Sequence, residues 1–107
     1  MDSEALKGHL DLLLLAALRA EPGHGYAVLS RMKEMSDGAF DVPEGTVYPA
    51  LHRLQRRGLL ASSWETVNGR RRRVYRITPR GEREFSGRRQ AWERFSTGIS
   101  RALEASG

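Results

Sequence analysis

Apolar positions along the chain recur with two different periods, and the period separates helices from strands. Leu6, Leu10, Leu13, Leu14, Ala17 and Leu18 follow helical spacing and predict a first helix over residues 6–20. Leu12 and Leu15 lie off that stripe. A helix apolar on more than one side needs a second covering surface, and another subunit is the expected one. Pro22-Gly23 ends the helix. A second helix is predicted over residues 25–35, with Val28, Leu29 and Met32 facing inward and Ser36-Asp37-Gly38 closing it. After a short connection at residues 40–43, a third helix begins near Pro43-Glu44-Gly45 and stops before Gly58. Its core positions are Val47, Leu51 and Leu54. Pro49 must sit close to its start or bend the helix, since proline lacks a donor and crowds the preceding turn.

The period then drops to two. Residues 60–65 and 72–77 read as strands around an Asn68-Gly69 turn. Paired outward from that turn, Leu60 falls opposite Ile77, Ser62 opposite Tyr75 and Trp64 opposite Arg73, where the last two can form a cation–π pair. Thr78 as N-cap and Pro79 at the first helical position open a last helix reaching about Glu104. Its apolar residues Phe85, Trp92, Phe95, Ile99 and Ala102, with Leu103 beside the last, form a heptad-type seam. A helix this long cannot bury that seam on three short helices, so a partner helix is the expected cover. The fold expected is mainly α with a small β-hairpin. It is a winged helix-turn-helix head over residues 1–78 and a long C-terminal dimerisation helix over residues 79–107, forming one compact unit.

Charge sharpens this picture. The chain of 107 residues carries a formal net charge of +5. Between His52 and Arg80 stand nine arginines and one acid, Glu65, a formal +8, while the remainder is acidic overall at −3. One concentrated basic block suits a polyanion. Arginine supplies 16 of the 18 basic residues, which favours bidentate contacts to phosphate and guanine. There is no cysteine, which excludes disulfide scaffolds and thiolate metal sites. The opening Met1-Asp2-Ser3-Glu4 lacks the basic start of a signal peptide, and the apolar run at residues 12–18 falls short of the roughly 20 residues that span a bilayer. No membrane association and a cytoplasmic location are therefore expected.

The exposed side of the third helix, opposite its core stripe, carries Gly45, Pro49, His52, Arg53 and Arg56, with Thr46 and Tyr48 flanking. His52 and Arg53 have the reach for base edges, Thr46 and Tyr48 the hydroxyls for phosphates, and Gly45 permits close backbone approach near free helix-start amides. At the wing tip, Arg70, Arg71, Arg72 and Arg73 follow the Asn68-Gly69 turn and suit phosphates or a narrow minor groove. These residues form the expected contact set for double-stranded DNA. Leu12, Leu15, Phe85, Trp92, Phe95, Ile99 and Leu103 form the expected homodimer interface.

The stretch Glu44-Gly45-Thr46-Val47-Tyr48-Pro49-Ala50-Leu51-His52-Arg53-Leu54, followed by Arg57-Gly58-Leu59-Leu60, resembles the signature of PadR-family transcriptional regulators. So does Gly69 to Gly81, with its arginine run, Val74-Tyr75 and Thr78-Pro79. The leucine-rich first helix and Gly25-Tyr26 match the family's opening, and the short last helix resembles its smaller subgroup. The resemblance spans about residues 6–85. It implies a winged-helix homodimer, joined through first and last helices, that binds inverted repeats in promoters and usually represses. It implies that Tyr48 lies at the DNA surface. It also implies a flat aromatic effector held near Trp92 in some small members, although the heptad position of Trp92 favours ordinary dimer core. Arg88 and Arg89 suit an acidic effector or a solvated helix face.

Three other classes fit the residues less well. An enzyme is not expected: His9, His24 and His52 have no metal-ligand spacing, and no phosphate loop, nucleophile elbow or paired carboxylates are visible. No metal and no cofactor is expected. His9 falls on the polar side of the first helix and His24 in a loop. The alternative is a winged-helix protein–protein interaction module without specific DNA binding, which the wing arginines disfavour. RNA binding lacks an aromatic stacking platform.

Overall fold

The computed structural model describes residues 3–107 in backbone and residues 9–107 in side chain; Leu6, placed on the apolar stripe by its spacing, lies outside the latter. The elements run α1 (Ser3–Ala20), β1 (Gly23–His24), α2 (Gly25–Met35), α3 (Glu44–Arg56), β2 (Leu60–Val67), β3 (Arg70–Ile77) and α4 (Pro79–Ala105). The chain thus has the mainly α winged-helix architecture with a long last helix that its patterning predicts. The sheet has three antiparallel strands in the order β1-β3-β2, one more than the hairpin alone. The extra strand pairs Gly23 with Tyr75 and His24 with Val74. Two residues are too few to show alternation, so β1 left no periodic trace in the sequence.

α1 lies at the centre and touches α2, α3, α4 and β3. Leu10, Leu14, Leu15, Ala17 and Leu18 are buried within the single chain, beside Val28, Met32, Val47, Leu51 and Leu54. This corrects the placement of Leu15 at a dimer interface. A helix surrounded by four elements has a wider buried arc than a one-sided stripe, and Leu15 falls inside it. Arg31 fastens the turn after α1: its guanidinium donates to the carbonyls of Ala17 and Glu21 at 2.7 Å and to the Glu21 carboxylate at 3.1 Å.

Two glycines set the passage from α3 to wing to last helix. Gly58 takes φ +78° just beyond α3, and the Leu59 amide donates back to the Leu54 carbonyl at 3.0 Å. Gly81, in the first turn of α4, lies against the same loop, where an added Cβ would stand 2.1 Å from the Leu59 carbonyl oxygen. Thr78 joins these parts. Its hydroxyl accepts from the Gly81 amide at 3.0 Å and donates to the Gly58 carbonyl at 2.7 Å.

Phe85 also departs from expectation. It is buried against the head, with the Arg19 guanidinium 5.3 Å from its ring centroid and the Arg19–Glu82 ion pair alongside at 3.0 Å. The first turns of α4 are therefore a docking segment for the chain's own α1, and the expected seam splits at this point. Trp92, Phe95, Ile99 and Leu103 are exposed, Leu103 by 67%. A helix of 27 residues is about 40 Å long, which makes α4 much of the 56 Å length of a molecule only 27 × 20 Å across.

Candidate nucleic-acid interface

α3 buries Val47, Ala50, Leu51 and Leu54 and turns Gly45, Pro49, His52 and Arg56 outward. Pro49 is the sixth residue, not the first turn, but its missing donor falls on the exposed side, where water can satisfy the Gly45 carbonyl. The helix starts at Pro43 with no side-chain cap, and the Thr46 and Val47 amides both donate to the Pro43 carbonyl. The Glu44 and Gly45 amides therefore lack intrahelical acceptors at an exposed helix start, where the dipole favours an anion.

The outer end of the Tyr48 side chain packs against Gly25, the first residue of α2. A Cβ at Gly25 would sit 2.4 Å from the Tyr48 ring, so only glycine allows this packing. Nothing in the local sequence around Gly25 signals that requirement; it arises from the crossing of α2 and α3. Beneath them Tyr75 is buried, which pushes its phenol above the ordinary range.

The hairpin register is the one paired outward from the turn: Leu60 with Ile77, Ser62 with Tyr75, Trp64 with Arg73. Asn68 at φ +52° and Gly69 at φ +79° make the two-residue turn whose backbone twist matches the strands. Strand alternation divides the arginine run between two faces. Arg71 and Arg73 share a face with Trp64, their guanidinium carbons 5.9 and 5.5 Å from its ring centroid. Arg73 also donates to Ser62 at 2.9 Å, and Ser62 donates to Gln55 of α3 at 2.8 Å. His52, Gln55, Arg56 and Arg73 thereby line one cationic cleft between α3 and the wing. Arg70 and Arg72 point to the opposite face of the sheet. Among the described residues, Arg56 and all four wing arginines have no carboxylate partner.

His24 is not a loop residue. It closes β1 and caps α2, its Nδ1 accepting from the Ala27 amide at 3.3 Å. Burial holds its pKa below the ordinary value, and the nearby Arg72 and Arg31 add to the effect. The cap therefore works with a neutral ring at the root of the wing.

Arg53 stands apart from the outward set. It lies on the α3 flank that faces α1 and is paired with Asp11. Asp11 in turn has Arg88 of α4 at 3.7 Å, and Arg88 donates to Glu84 at 2.7 Å. Thr46 is exposed on the same flank of α3.

At the root of the projecting part of α4, Trp92 meets His9 edge-on with ring centroids 5.0 Å apart, and Phe95 follows at 6.2 Å. His9, Leu12, Arg88, Ala91, Trp92 and Phe95 line a groove of about 350 Å³. Arg89 does not join Arg88 there. It pairs with Glu93 at 3.0 Å and borders a separate apolar depression with Met35 and Phe85. One helical step of about 100° separates the two arginines, enough to put them on different faces.

Residues 14–87 match the profile of the Transcriptional regulator PadR-like family. A relative in Mycobacterium tuberculosis, "Transcriptional regulator Rv3488", is 48% identical over 61 residues, which is 57% of this chain and 57% of that protein. The chain thus aligns with little more than half the length of that curated relative. Two solved structures superpose over nearly the whole chain. A transcriptional regulator from Clostridium thermocellum has a TM-score of 0.84 at 27% identity, covering 94% of this chain and 96% of its own. A PadR family transcriptional regulator from Eggerthella lenta has a TM-score of 0.79 at 35% identity, covering 94% and 87%.

Proposed function

The chain belongs to the PadR-like family of transcriptional regulators, and from that premise we propose that it acts as a homodimeric repressor at an inverted-repeat promoter site. One observation carries the reading: Arg56 and Arg73 line the cleft beside the outward face of α3, and neither they nor Arg70, Arg71 and Arg72 along the wing have a carboxylate partner among the described residues. Those charges stand ready for duplex phosphates. Gly45, Pro49 and His52 bring backbone and side chain close to base edges, Thr46 and Tyr48 flank them, and Arg53 joins once it leaves Asp11.

The second copy is supported by the ridge of Trp92, Phe95, Ile99 and Leu103, which extends from the head largely exposed, with only His9 against Trp92 among the described residues. Leu12, half-buried at the edge of the groove, continues that ridge onto α1. Joined there, two heads would present two α3 helices to successive major grooves, roughly 34 Å apart. A dimer so placed on a promoter competes with polymerase. The groove at Trp92 and Arg88 is apolar and aromatic with one cation at its rim, which suits a flat, anionic effector bound at the seam. The family is one of regulators, and the reading assigns no catalytic step. No helix among the described residues is long and apolar enough to cross a membrane.

The deciding experiment titrates the purified protein onto the promoter of its own gene at several salt concentrations, with sedimentation run in parallel. Expected are a mass near twice 12.1 kDa and an affinity that falls linearly in log–log form with salt, as counterion release requires. A protein that sediments as a single chain and binds no duplex at low salt would instead be a protein–protein module.

A further inference from the structure

One ion-pair chain crosses the molecule from reader helix to groove. Arg53 on α3, Asp11 on α1, and Arg88 and Glu84 on α4 alternate in sign: Arg53 contacts one oxygen of the Asp11 carboxylate, Arg88 lies 3.7 Å from the other, and Arg88 is held by Glu84 at 2.7 Å. The Asp11 side chain is only 15% exposed, against 47% for Arg53 and 30% for Arg88. The carboxylate is thus the fixed member and the two arginines are the movable ones. Asp11 serves no other partner among the described residues. It draws in the one arginine of the α3 surface that is not already turned outward.

We infer that Asp11 is a positioning residue for DNA contact: it holds Arg53 against α1 in the free protein, and Arg88 competes with Arg53 for its carboxylate. The inference rests on the reading that α3 faces DNA. A phosphate or guanine must win Arg53 from Asp11, so the ion pair opposes binding. Arg88 offsets part of that opposition, because a carboxylate shared between two guanidiniums holds each less firmly. Arg88 also lines the groove with Trp92. An anion seated there draws Arg88 away, leaves Asp11 to Arg53 alone and weakens DNA binding. This gives the groove and the reader helix a direct electrostatic coupling of the kind that linkage requires, with two arrangements of named groups.

The test uses the full chain and a labelled mixed-sequence duplex at low salt. Asp11→Asn should tighten binding about two- to fivefold, the range expected for a partly exposed ion pair. Arg88→Gln should loosen it by a smaller factor. Both effects should vanish in an Arg53→Gln background, which separates this pairing from a change in net charge. The idea is overturned if Asp11→Asn binds no better than the parent at an unchanged melting temperature, or if either effect persists without Arg53. Should Asp11→Asn fold poorly, the Arg88→Gln and Arg53→Gln cycle decides alone: equal loosening with and without Arg53 refutes the coupling. A parent protein that ignores the duplex at low salt removes the DNA reading itself, a result distinct from a parent that binds but shows no effect at Asp11.

Discussion

His24 shows how much one side chain does at the junction of head and wing. Its ring nitrogen accepts from the first turn of α2, so protonation removes the cap and adds a charge beside Arg72 and Arg31. In the unfolded chain it titrates near its ordinary value of 6.5; in the folded chain it takes its proton at lower pH. Between the two values the unfolded state binds more protons, so acid favours unfolding. The stabilisation is whole above about pH 6.5 and is lost as pH falls through the folded value. Thermal midpoints measured from neutral to mildly acidic pH should show that loss. His24→Asn, which keeps a good cap without a titrating ring, should flatten it. The sequence placed His24 in a loop because its partner, Val74, lies fifty residues away. Gly25 and Gly81 were equally silent: the Tyr48 ring and the Leu59 carbonyl that demand glycine come from other elements. Gly81→Ala should cost about 1–3 kcal/mol by forcing α4 off that carbonyl, readable as a lower urea midpoint.

At the scale of elements, the wing is the part whose local sequence left least to decide. An Asn-Gly turn with strands of period two admits one register that puts Leu60, Tyr75 and Ile77 on one inward face, and the pairing found is that one. The same alternation assigns jobs to the arginines. Arg71 and Arg73 are held over Trp64 and toward α3, whereas Arg70 and Arg72 extend from the other face. Replacing Arg70 and Arg72 together by Ala should therefore lower duplex affinity about equally for all sequences. It should also reduce the salt slope by nearly two if both touch phosphate, since each contact contributes about 0.9. Unchanged slope would place both outside the contact surface. The α3 helix was less legible. Its outward face follows from its core stripe, but the diversion of Arg53 to Asp11 depends on where α1 passes.

For the whole molecule, the decisive feature is the division of α4. Phe85 belongs to the head and the ridge from Trp92 to Leu103 lies beyond it. The two ends should respond differently to substitution. Phe85→Ala should destabilise the subunit by roughly 3–5 kcal/mol, seen in denaturant melts. Ile99→Glu should leave the head folded, with its spectrum and hairpin intact, while shifting sedimentation from two copies to one. Sedimentation unchanged by Ile99→Glu would remove α4 from the dimer interface. The aromatic groove sits at the boundary between these two segments, where His9 and Leu12 of α1 meet Trp92.

What the sequence determined by itself is whatever depends on near neighbours: the helical and strand periods, the Thr78-Pro79 start and Gly58 stop, the hairpin register, and the concentration of arginine on one side of the chain. Each is fixed by spacings of a few residues, within which backbone geometry dictates which side chains share a face. What only the tertiary structure decided is how those faces meet. It enclosed α1 on several sides and so took Leu15 into the core. It docked Phe85 on its own head, added β1 to the sheet and turned Arg53 to Asp11. Contacts between distant segments follow from the packing of whole elements, and no spacing along the chain encodes them.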